Sequence, residues 1–181
     1  MVVIEVATEA QIPEILTIVN DAAQAYRGHV PDDCLHEPYM SEPELRGEIA
    51  AGVRFFGWFE DGALLGVMGI QDVQDVTLIR HAYVATRTRR SGIGGKLLEH
   101  LLALTDRPVL VGTWRAATWA VDFYVRHGFR LVDEAEKTAL LRKYWSISER
   151  QNETSVVLRY ALRATQHERQ HQPPGFPPAR E

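Results

Sequence analysis

Three runs of strand length follow one another with almost nothing between them: Arg54–Glu60 (RFFGWFE), Ala63–Gln71 (ALLGVMGIQ) and Val76–Val84 (VTLIRHAYV). Each is rich in aromatic and branched apolar residues, which suit a pleated, buried surface. The first two are joined by Asp61-Gly62 alone. A two-residue Asp-Gly link is a strong hairpin signal, because the favoured turn needs positive φ at both central positions. The middle of the chain therefore reads as sheet, and the flanks must cover it.

The flanks do read as cover. Val2–Val6 is a β-branched strand run, and Thr8 and Gln11 then stand at capping-box spacing. Ile12, Ile15, Leu16, Val19, Ala22, Ala23 and Tyr26 make a helical stripe that Gly28 ends. Residues 29–40, with Pro31 and Pro38, read as a loop, and Ser41 with Glu44 opens a second helix to about Ala51. Downstream, Gly92–Leu104 reads as a helix, and Val109–Thr113 as a short buried strand after Pro108. Thr118 is placed to cap a helix over Trp119–His127 that Gly128 stops. Arg130–Trp145, or only its part from near Thr138, and Thr154–Leu162 read as two final strands. The expected class is α/β (α+β): a mixed, mostly antiparallel central sheet of about six to seven strands flanked by about four helices. At 181 residues one domain is expected, over 1–164. Residues 165–181 hold four of the nine prolines and read as a flexible Pro-rich tail.

Charge narrows the function. The net charge of −4 argues against a chain-wide surface for nucleic acid. Between Asp75 and Glu99, however, there is no acid, while Arg80, Arg87, Arg89, Arg90 and Lys96 are present. Gly92, Gly94 and Gly95 lie there where a strand turns into a helix. Such a turn lets a ligand approach backbone amides, and a helix N-terminus attracts phosphate. The dinucleotide fingerprint fails because Leu97 stands where a third glycine is needed, and Leu97 and Arg90 break the P-loop pattern. Cys34 is the only cysteine, no apolar run approaches a membrane span, and MVVIEVATEA is not a signal peptide. A cytoplasmic protein with no membrane partner is expected. The seven histidines show no paired metal spacing, so no metal is expected.

Arg89-x-x-Gly92-x-Gly94 is followed, after a helix and a strand, by Ala120-x-x-Phe123-Tyr124-x-x-x-Gly128-Phe129. The two motifs in this order resemble the GNAT N-acetyltransferase superfamily, over roughly residues 1–162. The resemblance implies a GNAT-like fold, acetyl-CoA as co-substrate and a primary amine, on a small molecule or a peptide, as acceptor. It implies a cofactor site made of Arg89, Arg90, Ser91, Gly92, Ile93, Gly94, Gly95 and Lys96 at the pyrophosphate. Ala82, Tyr83 and Val84 would lie along the pantetheine arm, with Ala117, Phe123 and Tyr124 beside it. Tyr124 matches the family's general acid, and homodimers are common in the family. Two departures stand out. Ala117 occupies a position where the family often has asparagine, and Thr77 and Leu78 replace a strand glutamate that serves as base. His81 is the base to test first, since imidazole titrates near working pH; Asp72 and Asp75 rank below it. A non-catalytic CoA-binding sensor or assembly module is the alternative, and a general phosphate or nucleotide binder the third reading.

Overall fold

In the computed structural model, residues 1–88 and 90–161 are described; Arg89 and the proposed tail over 165–181 lie outside the described residues. The strands are β1 (Val2–Val6), β2 (Arg54–Glu60), β3 (Ala63–Val73), β4 (Val76–Val84), β5 (Val109–Trp114), β6 (Phe129–Leu131) and β7 (Ser155–Tyr160). The helices are α1 (Ile12–Ala23), α2 (Glu42–Ala50), α3 (Ile93–Leu102), α4 (Thr118–Arg126), α5 (Glu134–Tyr144) and α6 (Glu149–Glu153). The strands form one sheet in the order β1-β2-β3-β4-β5-β7-β6. β4 and β5 pair parallel, and the other neighbours pair antiparallel. Asp61 and Gly62 take φ of 48° and 83°, as the tight hairpin requires.

Helices cover both faces. α1 and α2 lay Ile15, Val19 and Leu45 on Val53, Phe55, Leu64 and Val67. α5 covers the same side further along, with Leu141 and Tyr144 over Leu78, Leu110 and Val157. On the other face α3 packs Ile93, Leu97, Leu98 and Leu101 on Phe56, Met68, Ile70 and Ile79, and Tyr124 of α4 joins that cluster. Leu64–Gln71 of β3 is buried at every position, because the sheet is covered on both faces there. Among the described residues no helix is long and apolar enough to cross a membrane.

The strand expected over Arg130–Trp145 is corrected. Only Phe129–Leu131 is strand, and Glu134–Tyr144 is helix. Asp133 accepts the Glu136 N–H at 2.8 Å, Glu134 and Glu136 occupy the first turn, and Arg142 and Lys143 the last. That charge order suits the helix dipole. Ser148 caps the short α6 in the same way, accepting the Gln151 N–H at 3.1 Å. The helices therefore number six, among the described residues, where about four were expected. Thr118 is the first residue of α4 and not its cap; Ala117 takes that place without a side-chain bond.

One irregularity positions everything that follows. Val67 pairs with Tyr83 and Gly69 with Arg80, so Met68 alone faces both His81 and Ala82. This is a β-bulge, and His81 takes φ of 52° to make it. Gly69 permits the close approach: a Cβ there would lie 2.9 Å from the Arg80 carbonyl oxygen. Beyond the bulge β4 bends away. Parallel pairing with β5 runs from Thr77↔Val109 only to Ile79↔Val111, although β4 continues to Val84 and β5 to Trp114. β4 stays with β3, β5 stays with β7, and a wedge opens between them.

Two glycines should respond oppositely to alanine. Gly69→Ala should destabilise by about 1–3 kcal/mol, through overpacking against backbone. Gly47→Ala, in the interior of α2 with open space around it, should stabilise by about 0.5–1 kcal/mol. Urea unfolding measures both; an unchanged Gly69→Ala protein rejects the requirement for glycine at the bulge.

Candidate active site

The wedge is bounded at one end by the turn from β4 into α3. The Ala85 N–H donates to the Leu65 carbonyl at 2.8 Å, on the β3 side. Backbone groups alternate along a strand, so the Val84 N–H turns the other way, toward the wedge. Arg90 at φ 67° and Gly92 at φ 81° then reverse the chain into α3. Gly92 caps α3 without a side chain, and the Lys96 N–H is the first to bond back, to the Gly92 carbonyl at 3.1 Å. The amides of Ile93, Gly94 and Gly95 precede that bond, at the positive end of the helix dipole. Such a turn is suited to an anion, and the exposed Arg87 and Arg90 add positive charge beside it.

The turn's side chains have separate duties. Ser91 donates its hydroxyl to the Thr88 carbonyl and so serves the turn itself. The Lys96 ammonium sits 5.3 Å over the Trp58 ring, on the β2 side of α3. Gly94 and Gly95 let α4 approach: added Cβ atoms would lie 3.4 Å from the Phe123 ring and 2.8 Å from His127 Nε2. Ala117 is fully buried, its N–H is donated to Trp114, and its carbonyl accepts from Ala120 and Val121. It shapes a wall and presents no polar group.

Tyr124 is 5% exposed on the α3–α4 face, held edge-on by Phe123 at 5.1 Å and Phe129 at 5.4 Å. Among the described residues its hydroxyl makes no hydrogen bond. Burial raises its pKa above that of a free phenol, so it is a neutral O–H donor at pH 7.

His81 lines a cleft on the opposite face with Arg80, Tyr83 and Leu141 of α5. The two catalytic candidates thus flank the wedge from opposite sides of the sheet. A His81 ring nitrogen, Nε2, lies 3.2 Å from Glu48 Oε2 of α2, and the Arg80 guanidinium lies 3.1 Å from the same oxygen. Burial pushes the Glu48 carboxyl up, but the His81 hydrogen bond and the charges of His81 and Arg80 outweigh it and hold the carboxyl below its ordinary value. A carboxylate only accepts, so the facing Nε2 carries a proton and Nδ1 is the ring nitrogen turned from Glu48. Glu48 was not legible as a site residue: it meets His81 only because α2 crosses the bulge. Asp72 accepts from Thr77 at 2.6 Å and Asp75 from Tyr144 at 2.6 Å, and neither lines the cleft.

A family model described as acetyltransferase (GNAT) domain matches residues 17–142. A sequence comparison with curated proteins finds no match. Among solved structures, the PaiA N-acetyltransferase from Thermoplasma acidophilum in complex with coenzyme A is similar at TM-score 0.67 and 15% identity, over 89% of this chain and 99% of that one. The ribosomal-protein-S18-alanine N-acetyltransferase from Escherichia coli is similar at TM-score 0.60 and 14% identity, over 90% and 96%. N-acetylglutamate synthase from Neisseria gonorrhoeae, complexed with coenzyme A and N-acetyl-glutamate, is similar at TM-score 0.63 and 18% identity, over 90% of this chain and 35% of that one. At these identities the likeness shows the fold.

The Glu48 cluster predicts an acid limb of stability. The folded carboxyl titrates below the ordinary 4.5, so its contribution is complete above that value and is lost as pH falls through the lowered one. Urea unfolding of Glu48→Gln should therefore lose less stability than the parent between about pH 5 and pH 3. Equal losses reject the coupling.

Proposed function

The chain belongs to the GNAT acetyltransferase family, and from that premise we propose that it transfers the acetyl group of acetyl-CoA directly to a primary amine. The observation that carries the mechanism is the wedge itself. Helix N-terminal amides lie at one end of it, buried Tyr124 packs on one face of the sheet, and the His81–Glu48 pair lies on the other. These residues fit the co-substrate: the α3 N-terminus suits a pyrophosphate, and the unzipped strand edges suit the amides of an extended arm.

Acetyl-CoA supplies an acetyl group activated as a thioester. The Val84 N–H is oriented to polarise the thioester carbonyl and to stabilise charge that develops on its oxygen. His81 Nδ1 takes one proton from the acceptor ammonium, freeing the lone pair that forms the new C–N bond, and the nitrogen gives up a second proton to solvent as the tetrahedral adduct collapses to the amide. Glu48, hydrogen-bonded to the other ring nitrogen, acts as a positioning residue: it holds the tautomer and stabilises the imidazolium. Tyr124 delivers its proton to sulfur as the C–S bond breaks, so that coenzyme A leaves as a thiol. Tyr124 recovers a proton from solvent and His81 returns one, so the enzyme ends as it began.

Ala117 favours a second reading, a non-catalytic coenzyme A sensor, since it presents no amide to the arm. Calorimetry with coenzyme A, together with thiol release from acetyl-CoA over an amine panel, separates the two. Absence of binding removes both readings, and binding without transfer leaves the sensor. Tyr124→Phe should lower kcat by about 10²–10⁴-fold with acetyl-CoA affinity unchanged. His81→Gln should flatten the acid limb of kcat/KM, and Glu48→Gln should displace that limb; an unmoved limb rejects His81 as base.

A further inference from the structure

Resting on the N-acetyltransferase reading, we propose that the acceptor is an arylalkylamine, a primary amine joined by a short alkyl link to an aromatic ring. The cleft beside His81 is walled by Tyr26, Tyr39, Tyr83, Trp114 and Trp145. The three tyrosine rings meet at tilted and edge-on angles, with centroids 5.3 Å apart for Tyr26–Tyr39, 6.5 Å for Tyr26–Tyr83 and 6.4 Å for Tyr39–Tyr83. Their hydroxyls are turned on protein groups. Tyr26 donates to Tyr83 at 3.3 Å, and the Trp114 indole donates to Tyr39 at 3.0 Å. Rings so tethered present their faces and edges, the surfaces against which another aromatic ring packs. Trp145 forms the facing wall, and Gly112 leaves room beneath it: a Cβ there would already touch the indole at 3.4 Å.

Charge disfavours a polyamine. Among the described residues no carboxylate lines this cleft. Glu48 is committed to Arg80 and His81, Asp33 and Glu37 are paired with Arg150 and Arg27, and Glu44, whose charge acts on Tyr39, caps α2 and faces His36. A polyamine would place a second ammonium among aromatic walls with no counter-charge, which is costly. An uncharged aromatic body meets no such penalty and buries a large apolar area. The reacting nitrogen then lies at the His81 end of the cleft and the ring lies among the tyrosines.

The test is thiol release from acetyl-CoA with 2-phenylethylamine, n-butylamine, spermidine and an alanine-initiated tripeptide. The expected kcat/KM for 2-phenylethylamine exceeds those of the other three by about 30-fold or more. Trp145→Leu, at a half-buried wall position, should lower kcat/KM for 2-phenylethylamine about 10-fold more than for n-butylamine, chiefly through KM. Tyr39→Leu should act in the same direction. Preference for spermidine or the tripeptide, or equal loss for both amines in the variants, overturns the acceptor class and leaves the transferase standing. Coenzyme A binding by calorimetry with no transfer to any amine overturns both.

Discussion

The site exists because β4 carries one residue more than its partner at Met68. A regular β4 would pair with β5 along its whole length, and its outer edge would be spent on ladder hydrogen bonds. The bulge at His81 and Ala82 bends the strand, ends the parallel pairing at Ile79 and frees the edge up to Val84. The same kink turns Arg80 and His81 toward α2, where one carboxylate, Glu48, meets both. Gly69 makes this affordable, since any side chain there would press on the Arg80 carbonyl. Strand geometry, the open wedge and the ionic cluster are three consequences of one insertion.

In the proposed mechanism the wedge also sets the proposed acid and base apart. A transfer reaction of this kind needs a proton donor at the leaving sulfur and a proton acceptor at the entering nitrogen, and the two must not neutralise each other. The sheet keeps them on opposite faces. Tyr124 is enclosed by Phe123 and Phe129, where burial keeps the phenol protonated. His81 bonds Glu48, whose carboxyl stays below its ordinary value despite its burial. In the proposed mechanism, environment more than residue type divides the two roles.

What was legible in the sequence divides along the range of the interaction. Asp61-Gly62, the Ser41–Glu44 cap and the leucine stripe of α3 are local signals, and each element stands where they put it. α5 was misread because its apolar residues are few and its evidence is polar: the Asp133 cap, early glutamates and late basic residues. The GNAT motifs pointed to Gly92 and Tyr124, yet they did not separate the glycine that reverses the chain from Gly94 and Gly95, which admit α4. Glu48, Tyr26 and Tyr39 were invisible for another reason. Glu48 meets His81, and Tyr26 and Tyr39 reach the cleft, only through tertiary contacts of α2, the segment after α1 and the following loop with β4 and β5. No spacing rule encodes a contact between Glu48 and His81.

The departures from local preference are not scattered. Of the non-glycine residues with positive φ, Asp61 and Gln74 serve hairpin turns, while His81 and Arg90 border the wedge. One buried side-chain polar group also lacks a partner among the described residues, and it lies away from the wedge. The Trp58 indole N–H is sealed in the core, with Lys96 over its ring. It costs roughly 1–3 kcal/mol that nothing recovers. The backbone strain at His81 and Arg90, by contrast, borders the wedge, where the fold holds a geometry that local preference alone does not favour.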